Sequence, residues 1–216
     1  MVSSARRRRV RAAAVLLCLT VAGCSATSAP EPPPAVTTLD PPTATRTPEA
    51  AASSSIEPDL EAMAIPPCET LLPIEKVRST FADDAEYFES DSGVPLSERM
   101  PSPEANAAMA QATHELDCLW GLPGSDVGFT IDVAIVPTGA LEELVPTLHA
   151  GGFTEAPLGG GRSFTHALDD DSGLWVTVYA FDGNAWVTYI GMGLAATAAG
   201  LTAEVLANLQ AANPGL

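Results

Sequence analysis

Side chains suited to acid–base, nucleophilic or metal chemistry are few in this chain of 216 residues. The only histidines are His114, His149 and His166, and Lys76 is the only lysine. His114-Glu115 lacks a second histidine four residues after the first, so the helical zinc-protease pattern is absent. Lys76 has no serine three residues before it, so there is no Ser-x-x-Lys dyad. The sequence therefore assigns no catalytic residue, metal ligand or cofactor, and it predicts a protein that is not an enzyme.

Two groups of acidic residues offer alternatives to that interpretation. Glu115, Asp117 and Asp132 are scattered carboxylates from which a hydrolase site is one alternative. Such a site requires a carboxylate whose pKa is raised inside a cleft. Residues 169–173 resemble a calcium-binding loop, but the glutamate that such a loop needs does not follow at the required distance. We predict a hairpin turn there instead.

The N-terminal segment predicts where the protein is located. Five arginines lie within residues 6–11, and residues 12–22 form an apolar stretch that is too short to span a bilayer and suits a signal-peptide core. The stretch ends in Val-Ala-Gly-Cys at 21–24, which resembles the lipobox of bacterial lipoproteins. The resemblance implies that residues 1–23 are removed and that Cys24 is acylated with chains such as palmitate. An ordinary signal peptide, in which Cys24 has no role, is the alternative.

Lipid attachment at Cys24 predicts a protein held on the extracytoplasmic face of the cell membrane. One acyl chain binds a membrane only reversibly, whereas the two chains of a diacylglyceryl group give stable attachment. Residues 24–66 are rich in Pro, Ala, Thr and Ser and show no apolar periodicity, so we predict a disordered tether. Residues 67–216 then form a single folded domain.

Two cysteines remain for that domain once Cys18 is assigned to the signal peptide and Cys24 to the anchor. In an exported chain, Cys68 and Cys118 most simply form one disulfide bond. A zinc or redox site is a weaker alternative, because there is no Cys-x-x-Cys motif and two thiols do not complete a tetrahedral metal site.

The charge of the predicted mature chain limits its partners. All 27 acidic residues follow Cys24, whereas only five of the ten basic residues do, which leaves a net charge of about −22. Such a charge repels nucleic acids and anionic membrane surfaces. The expected partners are the membrane, through the lipid at Cys24, and a protein, glycan or cation of the cell envelope.

Hydrophobic periodicity predicts an α+β domain. Residues 126–136 form the clearest strand, with Ile131 and its apolar neighbours on one face and Asp132 on the other. Further strands are predicted at 116–120, 162–168, 174–181 and 185–192, and helices near 69–81, 102–112, 141–150 and 202–211. This order indicates an antiparallel sheet of about five strands with helices packed on it and one disulfide.

The predicted strand at 174–181 is apolar on both faces. Trp175, Tyr179 and Phe181 share one of them. A strand with two apolar faces is either central in a covered sheet or lines a cavity. We prefer packed core, and an apolar ligand face formed by these three aromatic residues is the alternative.

Several of these features together resemble a broad group of small actinobacterial lipoproteins whose shared domain has no assigned function. They are the lipobox, the Pro/Thr-rich tether, the two leucines just after Cys68, and the Cys-Leu-Trp motif at 118–120. The resemblance implies a Cys68–Cys118 disulfide and a sensor- or binding-type α+β domain, and it brings no catalytic residues. We therefore expect a non-catalytic binding or accessory module of the cell envelope. A carrier of an apolar ligand and a hydrolase are the alternatives.

Overall fold

The computed structural model describes residues 60–90, 92–170 and 173–214. The predicted signal peptide, the lipid-attachment residue Cys24 and residues 24–59 of the predicted tether lie outside the described residues. Residues 60–66, which the sequence places in the tether, contact the domain. Met63 is buried, and Ala64 exchanges two hydrogen bonds with the side chain of Asn213 at 2.9 and 2.8 Å. The packed part of the described chain therefore begins before residue 67.

Five α-helices and seven β-strands are present within the described residues. The helices are α1 (Cys68–Leu71), α2 (Ile74–Thr80), α3 (Pro103–Met109), α4 (Thr138–Ala150) and α5 (Ala195–Ala212). The strands are β1 (Glu86–Phe88), β2 (His114–Gly121), β3 (Gly128–Ile135), β4 (Thr154–Leu158), β5 (Gly161–Asp170), β6 (Gly173–Asp182) and β7 (Ala185–Met192). Short 3-10 helices at Leu60–Ala62 and Leu96–Glu98 complete the set.

The strands form one antiparallel sheet in the order β1-β2-β3-β7-β6-β5-β4. The predicted class, helices on an antiparallel sheet, is confirmed, but the expected number of about five strands is wrong. Both strands that the sequence analysis missed, β1 and β4, are edge strands. β1 has only three residues in an acidic stretch, and β4 is almost wholly exposed and contains Pro157. Neither strand therefore shows the apolar alternation by which strands are recognised.

Tight hairpins fix the register of the later strands. Asp182 lies opposite Ala185, so β6 and β7 are joined by the two residues Gly183 and Asn184. Gly183 has a φ of 55°, as the first loop residue of a type II′ turn requires. In the preceding pair, β5 and β6 form the hairpin that was predicted around residues 169–173.

One side of the sheet, here called the disulfide face, is covered by α1, α2 and α5. Its buried cluster joins Ile131, Val133, Val178 and Val187 of the sheet to Leu201, Val205, Leu206 and Leu209 of α5. The Cys68–Cys118 disulfide ties α1 to β2, with the two Cα atoms 5.7 Å apart. This confirms the predicted disulfide bond.

The opposite side, here called the acid face, is covered over only part of its area. Its buried cluster joins Met109 of α3 and Leu141, Leu144 and Leu148 of α4 to Ala134, Phe164, Tyr179, Phe181 and Trp186 of the sheet. Beyond this cover, Leu168 and Trp175 are exposed. The acid face therefore has a covered part and an uncovered part.

Candidate functional site

A row of polar side chains crosses the acid face. Asp117 of β2 lies opposite Asp132 of β3, and Asp132 lies opposite Thr188 of β7. Thr188 in turn lies opposite Tyr179 of β6. Directly opposed residues point to the same side of an antiparallel sheet, so the four side chains are neighbours. We call Asp117, Asp132, Thr188 and Tyr179 the polar row.

Alternation along β2 and β3 places the two aspartates on this face. Cys118 and Ile131 are paired across the strands and belong to the cluster of the disulfide face. Their neighbours Asp117 and Asp132 must therefore point the other way. The separation of Ile131 and Asp132 onto different faces of β3 agrees with the sequence prediction.

Asp132 is the buried member of an acid pair, with only 3% of its surface exposed. Burial is the main cause that raises the pKa of Asp132 to about 8; the negative charge of Asp117 adds to the rise, and the positive charge of Arg99 opposes it. The carboxyl of Asp132 therefore holds a proton at neutral pH. The Oδ1 atoms of both aspartates are buried and have no hydrogen-bond partner among the described residues. A hydrogen bond to the side chain of Asp117, for which the protonated carboxyl of Asp132 is the donor, is a further cause of the raised pKa of Asp132.

Asp117 connects this buried acid to the surface. Its Oδ2 accepts a hydrogen bond from Arg99 Nη2 at 2.6 Å and another from Ser90 Oγ. Both donors belong to the connection between β1 and α3. The sequence analysis did not identify Ser90 or Arg99, because they lie 27 and 18 residues before Asp117 in a polar stretch without periodicity. No local signal in the sequence indicates that contact.

The connection between β1 and α3 is fixed to the domain at its end. Leu96 and Met100 are buried in the cluster of the acid face. The N–H of Met100 donates to Oδ1 of Asn106 at 2.8 Å. Ser102 caps α3, since its hydroxyl accepts from the N–H of Ala105 at 3.1 Å. Arg99 is thereby held close to Asp117.

A pocket of about 390 Å³ opens where this connection meets β2. Ser90 and Arg99 line it from the connection, and Glu115 and Asp117 line it from β2. Asp132 lies behind Asp117 on the neighbouring strand. The structure therefore brings together the three carboxylates of the hydrolase alternative, with two of them in the pocket wall and the third beneath it.

The three aromatic residues of the predicted ligand face have different environments. Tyr179 and Phe181 are 1% and 4% exposed, whereas Trp175 on the same face of β6 is 43% exposed. The ring of Tyr179 stacks on Phe153 at 5.4 Å and meets Trp186 edge-on at the same distance. Side chains therefore already fill the space around Tyr179, and only Trp175 is accessible to a partner.

Trp175 belongs to an uncovered row of apolar residues. It lies opposite Leu168 on β5 and opposite Met192 on β7. Leu168 is 52% exposed. We call Leu168, Trp175 and Met192 the apolar strip. The strip and the polar row are on the same face of the sheet, and the strip extends beyond the area that α3 and α4 cover.

The histidines do not converge on either feature. His149 in the last turn of α4 pairs with Glu155 at 3.1 Å, and His166 stacks on Phe153 at 5.1 Å. His114 alternates with Asp117 along β2 and points to the disulfide face. Within the described residues, no group of three or more His, Cys, Asp or Glu side chains is arranged to hold a metal ion.

The helices that the structure describes include none with the length and apolar character needed to cross a membrane. Comparisons with protein-family models, with curated proteins and with solved structures found no match to this chain.

Proposed function

We propose that this chain is a bacterial lipoprotein, anchored through Cys24, whose folded domain is a non-catalytic binding or accessory module on the extracytoplasmic side of the cell envelope. The sequence of the N-terminal segment supports the anchor. The Cys68–Cys118 disulfide supports an exported location, because disulfides persist in oxidising compartments and are rare in the cytosol.

The apolar strip is the observation that carries the binding role. Leu168 and Trp175 face each other on neighbouring strands and remain exposed. Full burial of such side chains stabilises a fold by about 1.5–3 kcal/mol each, yet the described helices leave them in water. Tryptophan is enriched at the energetic centres of protein interfaces. The strip is therefore the surface that we assign to a partner.

The negative charge of the chain limits the classes of partner that can bind the strip. An excess of acidic residues disfavours nucleic acids and other polyanions. An exposed indole ring suits an apolar protein surface or the apolar face of a sugar ring. We therefore propose an envelope protein or glycan that is neutral or basic where it meets the strip.

A substitution at the anchor tests the location. Cys24→Ala should move the full chain from the membrane fraction to the soluble fraction of native cells, because no acyl chains can be attached. Cys18→Ala is the matched control and should leave the protein in the membrane fraction. Unchanged membrane retention of Cys24→Ala would refute the lipid anchor.

The released Cys24→Ala chain also allows a test of the binding surface. Its sedimentation with isolated native envelopes should weaken at least about tenfold on Trp175→Ser, the loss expected when an interface hot spot is removed. Val94→Ser is the matched control, since Val94 is 42% exposed but lies away from the strip, in the wall of the pocket beside Asp117. Equal binding of both variants would exclude the strip as the surface that binds.

The carrier alternative makes a different prediction. Tyr179 and Phe181 are packed, so an apolar ligand bound at the aromatic face of β6 would lie on the strip and not between the sheet and its helices. Native mass spectrometry of the released chain would then show extra mass that organic solvent removes. A bare chain favours the binding module.

The hydrolase alternative has one observation in its favour, the raised pKa of Asp132 beside a pocket. The geometry opposes it. Asp132 lies behind Asp117, and the Oδ2 atom of Asp117 is already bound to Arg99 and Ser90. A substrate would have to displace both donors before it met Asp132, the carboxyl whose pKa is raised, so we retain the non-catalytic assignment.

A further inference from the structure

The acid pair connects the interior of the domain to the wall of the pocket. Asp132 is 3% exposed and lies opposite Asp117, and its Oδ1 has no hydrogen-bond partner among the described residues. Asp117 holds Ser90 and Arg99 through its other oxygen. All three of these residues line the pocket. A change in the charge of Asp132 is therefore transmitted to the pocket through Asp117.

The charged groups around Asp132 come from several elements. Glu115 and Asp117 of β2 and Arg99 of the β1–α3 connection act directly on its ionisation. Tyr179 of β6 also feels it, because burial and then the charge of Asp132 raise the pKa of Tyr179. The titratable residues of α3 and α4 are exposed and are not among the groups that act on Asp132; they are Glu104, Glu142, Glu143 and His149. Among the groups that act on Asp132, Arg99 alone is positive, and it is already paired with Asp117.

The protonation state of Asp132 determines whether Asp117 can keep its contacts with Arg99 and Ser90. When Asp132 is protonated it is neutral and donates to Asp117, which leaves Oδ2 of Asp117 free to bind Arg99 and Ser90. When the proton is lost, two like charges oppose each other in a site from which water is largely excluded. The repulsion is relieved if Asp117 turns toward water or if Arg99 moves between the two carboxylates. Either movement breaks the present contacts of the connection.

We infer that Asp117 and Asp132 form a proton-dependent latch. The proton that they share holds the β1–α3 connection against β2, and loss of that proton at alkaline pH releases the connection and widens the pocket lined by Ser90, Arg99 and Asp117. The inference does not depend on the proposed binding role of the apolar strip, which lies on another part of the acid face.

Carboxyl carbon NMR shifts of the labelled Cys24→Ala full chain test the shared proton. The carboxyl carbon of Asp132 should titrate with a midpoint near pH 8. Titration of Asp132 near pH 4, the ordinary range for aspartate, would overturn the inference.

Hydrogen exchange over residues 92–100 tests the release of the connection. After correction for intrinsic exchange, protection should fall about tenfold between about pH 7 and about pH 9, one pKa unit above the midpoint.

Asp132→Asn should remain protected, because its amide donates to Asp117 at every pH, and Asp126→Asn is the exposed control that should behave as the parent chain. Arg99→Gln should already be weakly protected at pH 7. A parent chain whose protection does not change with pH, or an equal fall in Asp132→Asn, would contradict the latch.

Discussion

The two faces of the sheet differ in buried charge and in exposed apolar surface. Both bury polar side-chain atoms that have no hydrogen-bond partner, such as Nε1 of Trp120 on the disulfide face and Oγ1 of Thr188 on the acid face. The acid face in addition carries two opposed carboxyls, of which Asp132 is buried, and it leaves Trp175 in water. A buried ionisable group and exposed apolar surface both cost stability. Such departures from local consistency are characteristic of functional sites, so the difference assigns stability to the disulfide face and function to the acid face.

The largest effect that this comparison predicts is a dependence of stability on pH. Because the pKa of Asp132 is raised from 3.8 to about 8, the folded chain keeps a proton between these pH values that the unfolded chain releases. The free energy of unfolding should therefore fall as pH rises from about 4 to about 8, by up to about 1.4 kcal/mol per pH unit and about 6 kcal/mol in all. Below this window both states are protonated, and above it both are ionised.

Urea unfolding of the parent chain and of Asp132→Asn at about pH 5 and about pH 8 measures this contribution, because the difference between the two proteins cancels the other titrating groups. Asp132→Asn should gain stability relative to the parent chain as pH rises. Asp126→Asn, at an exposed position of the β2–β3 turn, should show no relative gain. If the difference in the free energy of unfolding between the parent chain and Asp132→Asn is the same at both pH values, the acid face does not carry the buried proton on which the comparison of the two faces depends.

On the disulfide face, the largest loss should follow removal of the Cys68–Cys118 bond. The bond closes a loop of 50 residues, which stabilises the folded state by about 4 kcal/mol in the chain-entropy model. Replacing both cysteines by alanine should lower the free energy of unfolding by about that amount at every pH between about 5 and 8. A loss confined to alkaline pH would mean that the two faces are not independent.

A smaller effect is expected where the pocket wall meets the acid pair. Arg99→Gln removes the cation that opposes the rise in the pKa of Asp132, so that pKa should rise further. Because Arg99 and Asp117 are partly shielded from solvent, we also expect a loss of about 1–3 kcal/mol in the free energy of unfolding. Lys76→Gln is the control, since its pair with Glu204 is exposed and should contribute less than about 1 kcal/mol. An unchanged titration of Asp132 in Arg99→Gln would contradict this account of the pair.

The smallest effect on stability should come from the apolar strip. Trp175→Ser should change the free energy of unfolding by less than about 1 kcal/mol, because the residue is exposed. Phe181→Ala, on the same face of the same strand, should cost about 3–5 kcal/mol because it leaves a cavity in the core. Thermal unfolding of the two variants measures the contrast. Similar losses would show that Trp175 belongs to the core and not to a binding surface.

Periodicity was sufficient to predict the central elements of the fold. The alternation of residues 126–136 predicted β3 and the face of Asp132, and the cysteine count predicted the Cys68–Cys118 bond. Periodicity did not predict the elements whose side chains are exposed or small, because such elements show no apolar pattern. β1 and β4 lie at the edges, and α5 begins at Ala195 instead of near Thr202 because small residues such as Ala196 and Ala199 give no amphipathic pattern.

The candidate site depends on contacts between different elements, which the sequence of a single strand cannot predict. Glu115, Asp117 and Asp132 were recognised as carboxylates, but their proximity depends on the register of β2 against β3. A slip of one residue in that register would place different side chains opposite each other. The roles of Ser90 and Arg99 depend on the path of an irregular connection. The difference in exposure between Trp175 and Tyr179 depends on how far α4 extends over the sheet. The alternation of residues along β6 does not indicate where that cover ends.

Site-specific photo-cross-linking in native cells tests the division between the faces most directly. A photoreactive residue is placed in the full chain either at Leu168, in the apolar strip, or at Thr154, an exposed residue of β4 on the disulfide face. We expect a discrete cross-linked product from position 168 that Trp175→Ser abolishes, and no such product from position 154. A product from position 154 alone, or equal products from both positions, would contradict the assignment of binding to the acid face.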